Sequence, residues 1–228
     1  MELVGAPVPE LKSLLTTSFE QWDGEGSGNR SCAISGGATA MIFLGALKNA
    51  TVDWQRITLF WADERAVPPD DPESNFGLAE RMLLSPLGAR APRAIRMPAE
   101  TGNLAQAALW YDDALATELN GGPLDLAILG IGEDGHICSL FPGHKALQQG
   151  DLRAVAIEDA PKPPPRRLSL SLRFVLQTKK IWIIAIGARK LPVLQAAIEK
   201  TGSSTPLDLV MRQANDVTVF TDQVLRRR

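Results

Sequence analysis

The chain has 228 residues and a formal net charge of −2, with 45% hydrophobic and 22% charged residues. That is enough sequence to bury a sizeable core, and it reads as one globular domain over residues 1–228. The near-neutral balance argues against nucleic acid or a membrane surface as the main partner, and no window approaches the roughly 18 apolar residues of a membrane helix.

The N-terminal stretch "MELVGAPVPELKSLL" has no basic segment and no long apolar run, so it does not read as a secretory signal. A first helix is expected over Glu10 to Trp22. The glycine-rich "DGEGSGNR" that follows reads as a loop. The apolar run "SCAIS" (31–35) reads as a strand, and Thr39 to Lys48 as a helix. "RITLFW" (56–61) is the next strand, followed by a helix over Ser74 to Leu84. In Asn103 to Leu119, Leu104, Ala107, Ala108, Tyr111, Leu115 and Leu119 fall on one helical stripe.

Further strands are expected at "LDLAILG" (124–130), "RAVAIE" (153–158), "RLSLSL" (167–172), "IWIIAIG" (181–187) and "DVTVF" (216–220). Helices are expected over Lys190 to Lys200 and Pro206 to Gln213, and a solvated tail at residues 226–228. Several strand runs are continuously apolar, as in strands buried on both faces. Strands alternating with helices predict an α/β fold, with a mostly parallel sheet covered by helices on both faces. The proline-rich segment at 158–167 fits either a connecting loop or a stiff loop at an active site. Cys32 and Cys138 have no CxxC partner and read as reduced thiols of a cytoplasmic protein.

In open parallel sheets, ligands bind at the carboxyl ends of the strands. Four predicted strands end in polar or glycine-rich stretches: "SGGAT", "ADER", "GIGEDGH" and "GARK". In the first, Gly36 and Gly37 let backbone amides approach an anion before a helix, with Ser35 and Thr39 as hydroxyl donors. A tight turn with Thr39 as helix cap explains the same residues. In the last, Arg189 and Lys190 enter the first turn of a helix, where cations oppose the helix dipole and a bound phosphate would relieve them. Asp63 and Arg65 suit a sugar hydroxyl and a developing oxyanion; a surface ion-pair cluster is the plainer reading. Arg166 and Arg167 stand where the proline-rich loop enters a strand, and either suits an anion.

Gly130, Gly132 and Gly135 of "GIGEDG" fit G-x-G-x-x-G, the dinucleotide fingerprint. The helix that fingerprint needs is missing, because Pro142-Gly143 arrives six residues after Gly135. What remains is a loop carrying Asp134 and His136. A histidine with an acidic neighbour at a strand's carboxyl end suits a general base. A metal set of His136, Cys138 and His144 matches no standard spacing.

The blocks "ISGGATA", "WADERAVPPDDPESNFGLAERMLL", "LDLAILGIGEDGHICSLFPGH", "PPRRLSLSL" and "IWIIAIGARK" resemble, in order and spacing, those of the 6-phosphogluconolactonases. The resemblance runs from about Ser31 to the C-terminus. It implies a Rossmann-like three-layer α/β sandwich and hydrolysis of 6-phospho-D-glucono-1,5-lactone in the oxidative pentose phosphate pathway. It implies no metal and no nucleotide cofactor. The partner would be the sugar-phosphate lactone alone, with neither nucleic acid nor membrane, in a monomer or small homo-oligomer.

By matching position, the resemblance makes His136 the base that activates water, supported by Asp134. Asp63 and Arg65 lie against the sugar and its reacting end. Ser35, Gly36, Gly37, Thr39 and Lys190 surround the phosphate, with Arg167 a further candidate. The chain departs from the family's "SGGSTP" with Ala38 and Ala40, and from "DGHTAS" with Ile137 and Cys138. The segment before Ser31 is short for the family. A glucosamine-6-phosphate deaminase also carries a DGH motif but has "DEY" where this chain has Asp63-Glu64-Arg65. A non-catalytic sugar-phosphate-binding regulator is disfavoured by the presence of both Asp134 and His136.

Overall fold

The computed structural model describes residues 1–199, 201 and 204–225. Lys200, the last residue of one predicted helix, and the tail at 226–228 lie outside the described residues.

Seven parallel strands form the central sheet. They are β1 (Glu2–Gly5), β2 (Arg30–Ile34), β3 (Ile57–Trp61), β5 (Arg93–Ile95), β6 (Leu126–Gly130), β9 (Lys180–Ala185) and β10 (Val217–Thr221). Their order is β1-β10-β9-β6-β2-β3-β5. The inner strands are buried along almost their whole length, as their apolar runs require. Helices α1 (Val8–Gly24), α2 (Ala40–Leu47), α5 (Leu104–Glu118), α6 (Leu172–Gln177), α7 (Leu191–Glu199) and α8 (Pro206–Gln213) flank the sheet in a three-layer α/β sandwich.

The predicted helices are present, with ends shifted by a few residues. The stripe on α5 is buried at Leu104, Ala107, Ala108, Tyr111 and Leu115, and half-buried at Leu119. The Tyr111 hydroxyl accepts from Trp61 N–H at 2.9 Å and donates to Trp61 O at 3.0 Å, pinning α5 to the end of β3. The helix expected over Ser74 to Leu84 starts where Ser74 accepts from Gly77 N–H; it runs as α3 (Asn75–Ala79), a π-turn over Glu80–Leu84, then α4 (Ser85–Leu87).

Two predicted strands stand outside the parallel sheet. β7 (Ala154–Ile157) and β8 (Arg167–Leu170) join β4 (Asp63–Arg65) in a three-stranded antiparallel sheet, ordered β4-β8-β7. The connection between β7 and β8 contains no helix, and a parallel crossover needs a dozen or more residues. A hairpin is what that length allows. Leu172, read as strand, instead begins α6 behind the cap Ser171.

The four polar strand ends belong to four neighbouring strands, β9, β6, β2 and β3. From β2 the chain proceeds outward to β3, and from β6 it proceeds outward the other way to β9. The strand order therefore reverses between β2 and β6, and a crevice opens above that point. The small antiparallel sheet stands over it as a second wall, because β4 follows β3 after a single residue, Ala62.

Candidate active site

A cleft of about 500 Å³ lies over the carboxyl ends of these strands, lined by Ser35, Gly36, Gly37, Thr39, Asp63, Arg65, His136, Arg167 and Lys190. Nine of the ten site residues implied by the resemblance thus share one cavity. The tenth, Asp134, lies directly behind His136, bound to its ring.

The base of the cleft is the β6 loop. His136 Nδ1 and Asp134 Oδ1 are 2.6 Å apart. An ionised carboxylate only accepts, so Nδ1 carries the proton and Nε2 keeps its lone pair. Burial lowers the imidazole's pKa below the ordinary 6.5; Asp134 and Asp63 oppose that shift and Lys162 adds to it. The ring is therefore neutral at pH 7. Burial would raise the Asp134 carboxyl, but the His136 and Lys162 charges and their hydrogen bonds prevail and hold it at about 2.

The glycines of this loop serve the histidine. A Cβ on Gly132 would lie 2.0 Å from His136 Nδ1 and 2.3 Å from Asp134 Oδ1. Gly135 adopts φ +82°, a left-handed conformation that favours glycine. Gly132 N–H donates to His136 O at 2.9 Å, closing the loop. After β6 the next helical residues are the 3-10 turn Lys145–Gln148, so the dinucleotide fingerprint has no helix to open. His144 points away from the cleft chemistry, bound to Asp159 and capping that 3-10 turn.

Strand alternation explains the "DER" block. Asp63 and Arg65 face the cleft, while Glu64 points to the other side. There the Glu64 carboxylate accepts from Asn75 N–H at 2.8 Å, Phe76 N–H at 2.7 Å and the Ser74 hydroxyl at 3.1 Å, binding the start of α3. Burial raises its pKa against those hydrogen bonds. Asp63 accepts from Ser139 Oγ at 2.7 Å and from Asn75 Nδ2 at 3.2 Å. Arg65 pairs in register with Arg167 on β8, so two guanidinium groups share one wall. Glu73 balances the first through a 2.6 Å bond to its carbonyl and a 3.6 Å ion pair.

The opposite wall is built from backbone. Gly36 is required by a close neighbour, since a Cβ there would lie 1.8 Å from Asn75 Oδ1. Gly37 has φ +81°. Ser35 Oγ accepts from Gly130 N–H at 2.8 Å, tying β2 to β6. Thr39 occupies the N-cap position of α2 yet makes no side-chain capping bond, which leaves its hydroxyl available. Lys190 follows β9, with its ammonium against Ile131 O. Burial lowers its pKa, and Glu133 opposes the shift.

Arg167, not Arg166, lines the cleft; Arg166 turns outward to Glu158 at 2.7 Å. Sequence reasoning passed over Ser139, Asn75 and Lys162. Ser139 stood inside the quoted "GHICSLFPG" block, and its full burial with two charged neighbours is the feature that marks it.

The sequence profile described as glucosamine-6-phosphate isomerases/6-phosphogluconolactonase matches residues 12–220. The 6-phosphogluconolactonase of Mycobacterium bovis is 36% identical over 166 residues, 69% of this chain and 66% of that protein, so the match spans about two thirds of that relative. The rat 6-phosphogluconolactonase is 34% identical over 215 residues, 88% of this chain and 82% of that protein. Among solved structures, a 6-phosphogluconolactonase from Shewanella baltica aligns with TM-score 0.84 and 25% identity, covering 97% of both chains. The Trypanosoma cruzi 6-phosphogluconolactonase, 22% identical with TM-score 0.84 over 96% of this chain and 93% of its own, shares the fold. Of the described residues, no helix is long and apolar enough to cross a membrane. With the profile covering nearly the whole chain and strand ends converging on one cleft, this chain belongs to the glucosamine-6-phosphate isomerase/6-phosphogluconolactonase family.

Proposed function

We propose that the chain hydrolyses 6-phospho-D-glucono-1,5-lactone to 6-phosphogluconate, with His136 as the base that activates water. One observation carries this reading. A neutral imidazole, oriented by Asp134, faces a cleft lined by five cations, Arg65, Lys162, Arg167, Arg189 and Lys190, against two acids, Asp63 and Glu133. The chain as a whole carries a net charge of −2, so the cationic lining is local. It suits a phosphorylated sugar, and about 500 Å³ accommodates one.

The phosphate binds where the backbone N–H groups of Gly36, Gly37 and Ala38 make no hydrogen bond within the described residues, beside the Ser35 and Thr39 hydroxyls and the Lys190 ammonium. Distance between phosphate and C1 turns binding energy into orientation of the lactone. His136 Nε2 takes a proton from water as the water oxygen attacks C1. The carbonyl oxygen becomes an oxyanion, stabilised by Arg65, whose Nε is buried without a partner. Collapse of that intermediate breaks the bond from C1 to the ring oxygen. His136 returns the proton to that oxygen, leaving the open-chain acid and a neutral ring. Asp63, with both oxygens held by Asn75 and Ser139, faces the sugar as a fixed charge.

The test supplies purified chain with freshly prepared lactone, and separately with glucosamine 6-phosphate. Acid release well above the spontaneous rate, without ammonia from the second compound, is the expected result. Ammonia release, or acid release at the spontaneous rate, contradicts it.

A further inference from the structure

The loop between β7 and β8 carries Lys162, which no feature of the sequence assigned. Its ammonium lies 3.0 Å from Asp134 Oδ2, the oxygen His136 does not use. The loop that delivers it is held from within by Arg167. That guanidinium donates from Nε to Pro164 O at 2.8 Å, and from Nη2 to Lys162 O at 3.0 Å and Pro163 O at 3.1 Å. Nη1 reaches Ser139 Oγ at 3.3 Å. Four of the five N–H groups of a guanidinium are thereby spent inside the protein. Three consecutive carbonyls are gathered by one planar fork, an arrangement a lysine lacks the donors to reproduce. Ala160 N–H donates to Pro165 O at 2.9 Å and closes the base of the loop. Three successive prolines, Pro163 to Pro165, fix φ and stiffen what lies between.

We propose that Lys162 is a positioning residue for the His136–Asp134 pair: the Arg167-clamped proline loop places its ammonium on the free oxygen of Asp134, so that the carboxylate is held from both ends and the imidazole has one orientation. This rests on the reading of His136 as the base. Lys162 does not touch the reacting atoms in this account; it acts through Asp134. It also brings a positive charge near His136, whose other charged neighbours are Asp134 on its own loop, Asp63 on β4, and the cleft-lining Glu133, Arg65, Arg167 and Lys190. Among these, Lys162 favours the neutral ring while Asp134 and Asp63 favour the cation. Removing it moves His136 toward protonation, so the base is lost at a higher pH.

The chain has two histidines, so an imidazole nitrogen NMR spectrum resolves His136, with H136Q assigning its signals. In the unsubstituted protein the His136 midpoint lies below 6.5. In K162M it rises, corresponding to roughly threefold tighter proton binding, and the acid limb of kcat/KM rises with it while the plateau kcat falls and KM holds. K162R restores both, because charge and reach are kept. The Lys162 side chain is 44% exposed, so these substitutions leave no buried void. An unmoved midpoint in K162M overturns the proposal. So does a rise in KM alone, which would make Lys162 a substrate contact. A midpoint that moves while the activity limb stays fixed supports Lys162's action on the ring and overturns His136 as the base, so the two failures are distinguishable.

Discussion

The protein contains two clusters of the same composition. In one, Asp134 divides its oxygens between His136 at 2.6 Å and Lys162 at 3.0 Å. In the other, Asp159 divides its oxygens between His144 at 3.1 Å and Lys145 at 2.9 Å. The difference lies in which nitrogen is spent. His136 is tied through Nδ1, so Nε2 is free on a residue that lines the cleft. His144 is tied through Nε2, and its Nδ1 accepts from Ala146 N–H at 3.2 Å to cap a 3-10 turn. Composition and spacing do not separate a base from a cap. A free nitrogen with a cavity in front of it does; exposure does not, since the His136 and His144 side chains are 20% and 13% exposed.

Removing each ring separates the two clusters by the largest effect. H136Q is expected to lower kcat for lactone hydrolysis by about 10²–10⁴-fold, the usual worth of a positioned acid-base group, while H144Q leaves it unchanged. Steady-state rates on fresh lactone, corrected for spontaneous opening, decide this. G132A is expected to cost about 10²-fold, because its Cβ lies 2.0 Å from His136 Nδ1 and the pair must move.

D134N sharpens the contrast through pH. Asp134 favours the His136 cation, so its loss lowers the ring's midpoint, and the acid limb of kcat/KM moves to lower pH as the plateau falls. K162M moves the limb the other way. D159N and K145M move neither. The smallest effect is that of H144A on stability, about 1 kcal/mol or less from a lost cap, measured by denaturant unfolding at constant kcat.

How far the sequence speaks depends on what stabilises each element. The inner strands β2, β3, β6 and β9 are legible because they are buried on both faces and so are written as unbroken apolar runs. The edge strands β1 and β5, each with exposed residues, are held by pairing to β10 and β3, and their own sequences carry little β signal. Asp63–Arg65 did not read as a strand because charged residues favour that conformation poorly; pairing with β8 imposes it. Once imposed, alternation sends Asp63 and Arg65 to the cleft and Glu64 to α3.

The cleft was legible because ligands collect at the ends of parallel strands, and the four polar ends marked it. "GIGEDGH" was legible as a loop carrying Asp134 and His136, but its glycines were not legible as room for a His–Asp pair, which depends on side-chain packing. Lys162 was hidden for a related reason. Its place on Asp134 depends on how Arg167 folds the proline loop, and no local pattern encodes that.

If a neutral His136 drives lactone hydrolysis, the activity must follow the titration of that ring. The most direct measurement is kcat/KM for 6-phospho-D-glucono-1,5-lactone as a function of pH, set beside the His136 NMR titration of the same protein. The expected result is hydrolysis far above the spontaneous rate, constant above neutrality and falling at a midpoint that coincides with the His136 titration, below 6.5. Hydrolysis at the spontaneous rate, or an acid limb that does not coincide with His136, contradicts it.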